Sequence, residues 1–156
     1  MLNITIVAIG KLKDKNIQAI FFEYVKRLQP FARLKVIELK ASSFQANGHE
    51  KARLEEEIAI SNYLDKSLKN EIKPNVFLLA EKGMENDSKS FAAFLDDNQP
   101  VVLIVGGALG FTARLYDKYP QISLSALTFP HELARVVLIE QIYRAATILN
   151  NKEYHY

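Results

Sequence analysis

At 156 residues, 49% of them hydrophobic and 24% charged, the chain has the size and balance of one globular domain whose core needs no staple. Cysteine is absent, which excludes disulfides, thiolate catalysis and cysteine-ligated zinc or iron-sulfur sites. The net charge of +2 hides an asymmetry: residues 1–40 carry +5, residues 41–98 carry −4 and the remainder +1.

Taken in chain order, apolar β-branched runs alternate with longer amphipathic segments. Residues 3–9 predict a strand that is too short for a signal-peptide core or a membrane span, so the cytoplasm is the expected compartment. A helix over residues 15–28 and a strand over 34–39 follow, and this first quarter holds the basic excess: Lys11, Lys13, Lys15, Lys26, Arg27, Arg33, Lys35 and Lys40. Such an array suits either a phosphate-facing surface or a solvated face. Residues 41–48 read as a loop. Residues 49–68, with Lys51, Arg53 and three consecutive glutamates at Glu55, Glu56 and Glu57, read as a solvent-exposed surface helix. Next come a strand at 76–80, a helix at 88–96, a strand at 101–105, a helix at 112–119, a strand at 122–125 and a helix at 130–149. A βα unit repeated five times predicts an α/β domain with a mostly parallel sheet and helices on both faces. Runs such as VFLLA and VVLIV, apolar without alternation, fit strands buried on both sides.

Ligands of open α/β sheets collect beyond the carboxyl ends of strands. Three loops there are unusual: residues 80–84, residues 106–111 with the sequence GGALGF, and residues 125–130 with SALTFP. Gly106, Gly107 and Gly110 allow a close backbone approach. Their GGxxG spacing after the fourth strand is neither a dinucleotide fingerprint nor a P-loop. The loops at 80–84 and 125–130 offer mainly backbone and apolar side chains, which suits a flat aromatic ligand held by main-chain hydrogen bonds.

The last helix starts at TFPHELAR and then becomes apolar all round at Val136, Val137, Leu138 and Ile139, more than one turn. A terminal helix of that kind is hard to enclose in a domain this small, so a homodimer interface is expected to cover part of it. His131 and Arg135 are four apart, as are Glu140 and Arg144, so each pair can share a face. For Glu140 and Arg144 an internal ion pair is the plain reading; for His131, capping or packing. The tail Tyr154-His155-Tyr156 is a titratable aromatic cluster that this helix could deliver into a site.

Together these residues resemble the ribosomal RNA large subunit methyltransferase H family. The likeness runs in one register through the first strand's AIGKLK, Glu23-Tyr24, Lys26-Arg27-Leu28, the loop VGGALGF, LSALTFPH ending at His131, Arg135, Glu140, Tyr143-Arg144-Ala145 and Tyr154-His155. Ala108 and Leu109 stand where relatives often carry polar residues or proline. The resemblance implies a single SPOUT methyltransferase domain over residues 1–156, a C-terminal trefoil knot and a homodimer. It implies S-adenosylmethionine as cofactor and no metal. Leu79, Gly106 and the run Leu124, Ser125, Ala126, Leu127, Thr128 and Phe129 correspond to the family's cofactor contacts. The implied reaction is methylation of N3 of a pseudouridine in 23S ribosomal RNA on the assembled ribosome. In that chemistry the N3 proton must be removed, for which His155 or Tyr154 is the candidate. Arg144 or Arg135 is the candidate to hold charge developing on a uracil carbonyl. A non-catalytic ribosome-binding protein and a transfer RNA methyltransferase on the same scaffold are the competing readings.

Overall fold

The computed structural model describes residues 1–67, 73–96 and 99–154. Its aliphatic runs form one five-stranded parallel sheet in the order β2-β1-β4-β3-β5. The strands are β1 (Leu2–Ile9), β2 (Ala32–Leu39), β3 (Asn75–Glu85), β4 (Val101–Val105) and β5 (Gln121–Ser123). The helices are α1 (Lys15–Leu28), α2 (Phe44–Asn47), α3 (His49–Ser67), α4 (Ser88–Leu95), α5 (Ala113–Lys118) and α6 (His131–Leu149). Leu68, where the sequence suggested that the second amphipathic segment ends, lies outside the described residues.

The pleat divides the core in two. Ile4, Ile6 and Ala8 of β1 and Val101, Leu103 and Val105 of β4 face a layer made by α1, α4 and α6. Val7 and Ile9 with Val102 and Ile104 face the opposite layer, formed by α3 and α5. All five residues of β4 are buried, as a central parallel strand covered on both sides requires.

Three departures from the sequence reading have physical causes. The loop at 41–48 contains the single turn α2, whose start is tied by the Ser43 hydroxyl accepting from the Ala46 N–H at 3.4 Å. β3 runs five residues past its expected end, because Met84 and Glu85 pair with Ile122 and Ser123 after an irregularity between Leu79 and Met84. The expected loop at 80–84 is therefore the bent end of a strand, and β5 is correspondingly short. Thirdly, α3 is not a wholly solvated helix: Ala52, Glu56, Ile60 and Leu64, four residues apart, form its buried stripe together with Glu57.

α6 packs against α1 and α4 and buries Ala134, Arg135, Leu138, Ile139, Ile142, Ala145 and Ala146. Its own chain thus encloses most of it. A stripe of Leu133, Val137, Glu140, Gln141, Arg144 and Ile148 stays partly or fully accessible.

Candidate functional site

β4, β3 and β5 are neighbours, so the segments leaving their carboxyl ends meet. Between them is a cleft of about 910 Å³, closed on one side by His131 and Ala134 at the start of α6. Seven of the sequence-selected residues line it: Leu79, Gly106, Leu124, Ser125, Leu127, Thr128 and Phe129. Ala126 belongs to the same turn but is not on the wall. Lys82, from the segment 80–84, and two residues that the sequence did not single out, Tyr116 and Gln121, are also on the wall.

The turn after β5 is braced by its own serines. Ser123 Oγ lies 3.0 Å from the Glu81 carbonyl and 2.9 Å from the Ser125 carbonyl, and Ser125 Oγ accepts from the Leu127 N–H at 3.0 Å. The first contact ties β5 to the bent end of β3. Leu127 is 71% exposed on the cleft, an apolar side chain that only a ligand or a second molecule would cover.

The glycine loop is fixed from behind. A β-carbon at Gly106 would meet the Phe111 ring at 3.1 Å, and one at Gly107 would lie 2.9 Å from Glu56 Oε2. Gly110, at φ +69°, closes a turn in which its N–H donates to the Gly107 carbonyl at 3.1 Å. The Phe111 N–H reaches Tyr116 Oη at 3.5 Å, and the Thr112 hydroxyl donates to Glu57 Oε2 at 2.6 Å. Thr112 Oγ1 in turn caps α5 by accepting from the Leu115 N–H at 3.3 Å.

Burial pushes the Glu56 carboxyl up from its ordinary value, against the lowering effect of the Ser42 N–H donated to Oε1 at 3.2 Å. A folded-state value above the unfolded one means that this group's share of stability is complete below the ordinary carboxylate range. That share is lost as pH rises through the raised value. Glu56→Gln is therefore expected to melt higher than wild type at pH 8, with the gap closing towards pH 4. Thermal scans across that range check it.

A second cluster gathers at the far end of α6. Arg144 NH2 pairs with Glu140 Oε1 at 2.7 Å, the ion pair that the spacing predicted. Tyr154 Oη donates to the same oxygen at 3.2 Å and lies 3.3 Å from Tyr24 Oη. The Tyr154 ring meets Tyr143 edge-on, with centroids 4.8 Å apart, under the Arg144 guanidinium 5.0 Å away. Burial, then the Tyr24 hydroxyl and the Glu140 charge, raise the Tyr154 phenol well above its ordinary value. It is a protonated donor at neutral pH, which argues against its receiving a proton. The bond to Glu140 raises the Arg144 value, so this guanidinium stays charged. His155 lies outside the described residues.

Arg135, the alternative to Arg144 for holding charge on a uracil carbonyl, is 1% exposed. Its guanidinium binds Glu38 Oε1 at 2.9 Å and the carbonyls of Ile9 and Gly10 at 2.9 and 2.6 Å, while Nε has no partner. It clasps α6 to the ends of β1 and β2, out of a substrate's reach. His131 does not cap α6 either; Pro130 occupies the cap without a side-chain bond. Glu132 in the first turn accepts from the Lys13 and Asp14 N–H groups at 2.9 and 3.2 Å.

Arg144 is thirteen residues beyond His131 on α6, or ~20 Å along the axis at 1.5 Å per residue. In one chain the cleft and the cationic aromatic cluster are therefore separate. Among the described residues no group of three His, Asp or Glu side chains is placed to hold a metal ion. Nor is any helix there long and apolar enough to cross a membrane.

A family model described as "Predicted SPOUT methyltransferase" matches residues 2–155. Ribosomal RNA large subunit methyltransferase H of Clostridium acetobutylicum is 37% identical over 162 residues, covering 99% of this chain and 99% of the relative. The protein of the same name from Mycoplasmopsis synoviae is 38% identical over 154 residues, again with 99% of both chains covered. A solved chain from Bacillus anthracis, described as a candidate RNA methyltransferase, superposes with a TM-score of 0.56 at 11% identity, covering 99% of this chain and 100% of that one. At that identity the likeness concerns the fold.

Proposed function

The chain belongs to the SPOUT methyltransferase family, and on that premise we propose that it methylates N3 of a pseudouridine in 23S ribosomal RNA on the assembled ribosome, using S-adenosylmethionine. The observation that carries the reading is the cleft at the ends of β3, β4 and β5, with its braced backbone turns and apolar walls. Full-length relatives named for the large-subunit RNA supply the substrate class.

The residues fit the cofactor. Leu79, Leu124, Leu127 and Phe129 offer apolar walls for a purine, and Gly106, Ser125 and Thr128 offer main-chain and hydroxyl groups for its polar edges. When bound, S-adenosylmethionine supplies an electrophilic methyl group on a sulfonium that departs as a neutral thioether and needs no acid. The chain's own task lies at the nucleophile, because N3 of a neutral pseudouridine carries a proton. His155 accepts that proton, a role typically worth ~10²–10⁴-fold. Arg144, oriented by Glu140 and Tyr154, holds the negative charge on the neighbouring carbonyl oxygen.

For Arg144 to reach the cleft, a second copy must supply it. The accessible stripe on α6 is the surface for an antiparallel homodimer in which the tail of one protomer meets the cleft of its partner. A β-carbon added at Gly83 would lie 2.5 Å from the Ile122 carbonyl carbon, so β5 packs directly on the bent end of β3, in the half of the chain where the family resemblance implies a trefoil knot.

Labelled S-adenosylmethionine and ribosomes lacking the modification test the reading. Label on a large-subunit pseudouridine is the expected result. Label on transfer RNA instead, or cofactor binding without any transfer, would overturn it in favour of one of the competing readings.

Lys11, Lys13, Lys15, Lys26, Arg27, Arg33, Lys35 and Lys40 are all exposed, and they would meet RNA phosphates. Ribosome affinity is then expected to fall with salt, the slope of log K against log salt steepening by about 0.7 to 0.9 for each phosphate contacted. Titrations between 50 and 200 mM salt should give a slope of about −3 or steeper. A flat line would assign this surface to the solvent.

A further inference from the structure

We propose that Glu56 and Glu57 of α3 are positioning residues, which set the glycine loop of residues 106–111 against the cofactor cleft from behind; the inference rests on the cofactor reading above.

The two side chains are 6% and 7% exposed and are the only buried carboxylates among the described residues. Burying a carboxylate is unfavourable unless it gains partners that a hydrocarbon could not provide. An aliphatic residue at either position would continue the Ala52, Ile60 and Leu64 stripe without that cost. What these two acids touch is the loop that shapes the cleft. Glu56 lies against the Cα of Gly107, so close that an alanine there would contact both carboxylate oxygens, at 2.9 and 3.2 Å. Its Oε1 also accepts from the Ser42 N–H, which links the segment after β2 to the same point. Glu57 Oε2 accepts a hydrogen bond from the Thr112 hydroxyl at 2.6 Å, which fixes the residue where the loop becomes α5.

The partnership with Arg114 does not explain the burial. That side chain is 84% exposed, and its Nε is 3.5 Å from Glu57 Oε1, a loose surface contact of the kind that contributes little. Thr112 and Gly107 are the close contacts, one at the end of the loop and one near its start. Between them the main chain is set by Gly110 and by Phe111 on Tyr116. Neither carboxylate is on the cleft wall, so each acts through the loop rather than on a ligand. Main-chain groups misplaced by a fraction of an ångström weaken a preorganised site far more than they weaken a fold.

The test separates position from stability. Hydrogen exchange of the loop amides in the cofactor-free protein, and calorimetric affinity for S-adenosylmethionine, are measured for wild type, Glu56→Ala, Glu57→Ala, Glu56→Gln and Glu57→Gln. The alanine variants are expected to exchange at residues 106–112 about tenfold faster while β1 and α6 are unchanged. They should bind the cofactor about tenfold more weakly with the same KM for ribosomes. Glu57→Gln keeps an acceptor for Thr112 and is expected to recover most of both values. Folded alanine variants whose loop exchange and cofactor affinity both match wild type would overturn the proposal. Should an alanine variant not fold, the near-isosteric Glu56→Met and Glu57→Met decide: exchange at 106–112 faster than in the corresponding glutamine variants supports it, and equal exchange overturns it. A wild-type protein that binds no S-adenosylmethionine would instead refute the cofactor reading, and the exchange data would still decide the positioning role.

Discussion

Gly83→Ala is expected to lower stability by about 3 kcal/mol or more and to reduce cofactor affinity with it. The added β-carbon would lie 2.5 Å from the Ile122 carbonyl carbon and 2.7 Å from its nitrogen. Both are backbone atoms of a paired strand, so no side-chain rotation relieves the overlap. Overpacking against side chains typically costs ~1–3 kcal/mol, and a backbone-to-backbone clash belongs at or beyond the top of that range. For a domain of this size each 1 kcal/mol moves the midpoint by roughly 2–4 °C, giving a drop of roughly 6–12 °C or more. The cleft should suffer as well, because Glu81 and Lys82 precede Gly83 and Gln121 precedes Ile122, and all three line it. Gly48→Ala is the control. It has no atom within 4 Å but a φ of +76°, so it carries only backbone strain, about 1–2 kcal/mol, and should leave the cofactor bound normally. Thermal melts and calorimetry on both variants give the comparison; equal midpoints would mean that β3 and β5 can part without cost.

How much of this was legible in the sequence depends on whether a residue's neighbours are near it in the chain. The alternation of aliphatic runs with amphipathic segments gave away the parallel sheet, because central strands such as VVLIV must be apolar on both faces. The segments at 106–111 and 125–130 were legible as loops for the same reason, since a parallel sheet dictates where ligands go, whereas 80–84 is the bent end of β3. Glu140 and Arg144 are one helical turn apart, and helical spacing alone joined them. The burial of Arg135 was not legible because its partners Glu38, Ile9 and Gly10 are 97 to 126 residues away, and nothing local reveals an arginine turned inward. The acids of α3 were misread as solvated because a run of three glutamates is ordinarily a surface feature. Yet Glu56 occupies the step between Ala52 and Ile60 in a four-residue apolar repeat, and that interruption was the signal available. The bend of β3 had no local signature beyond Gly83 itself.

Mixing two inactive variants is expected to restore roughly a quarter of wild-type turnover if each site joins the cleft of one protomer to the tail of its partner. Leu127→Asp puts a charge on the exposed lip of the cleft, where no core packing is lost, and should disable cofactor binding. Arg144→Ala removes the guanidinium proposed to face the developing charge, a change that would then be worth about 10²–10³-fold in rate. Each homodimer alone should be nearly inactive. In an equal mixture half of the dimers pair one chain of each kind, and a two-fold interface gives each such dimer one site with an intact cleft and an intact arginine, hence roughly a quarter of all sites. Were Arg144 to serve the cleft of its own chain, no pairing would unite the two intact halves and the mixture would stay inactive. The separation of ~20 Å along α6 already makes the single-chain arrangement hard to build. Val137→Glu supplies the third arm: a carboxylate in the middle of the accessible stripe should give a monomer that neither works alone nor rescues either partner. Turnover in that monomer would show that the dimer is not needed to complete the site.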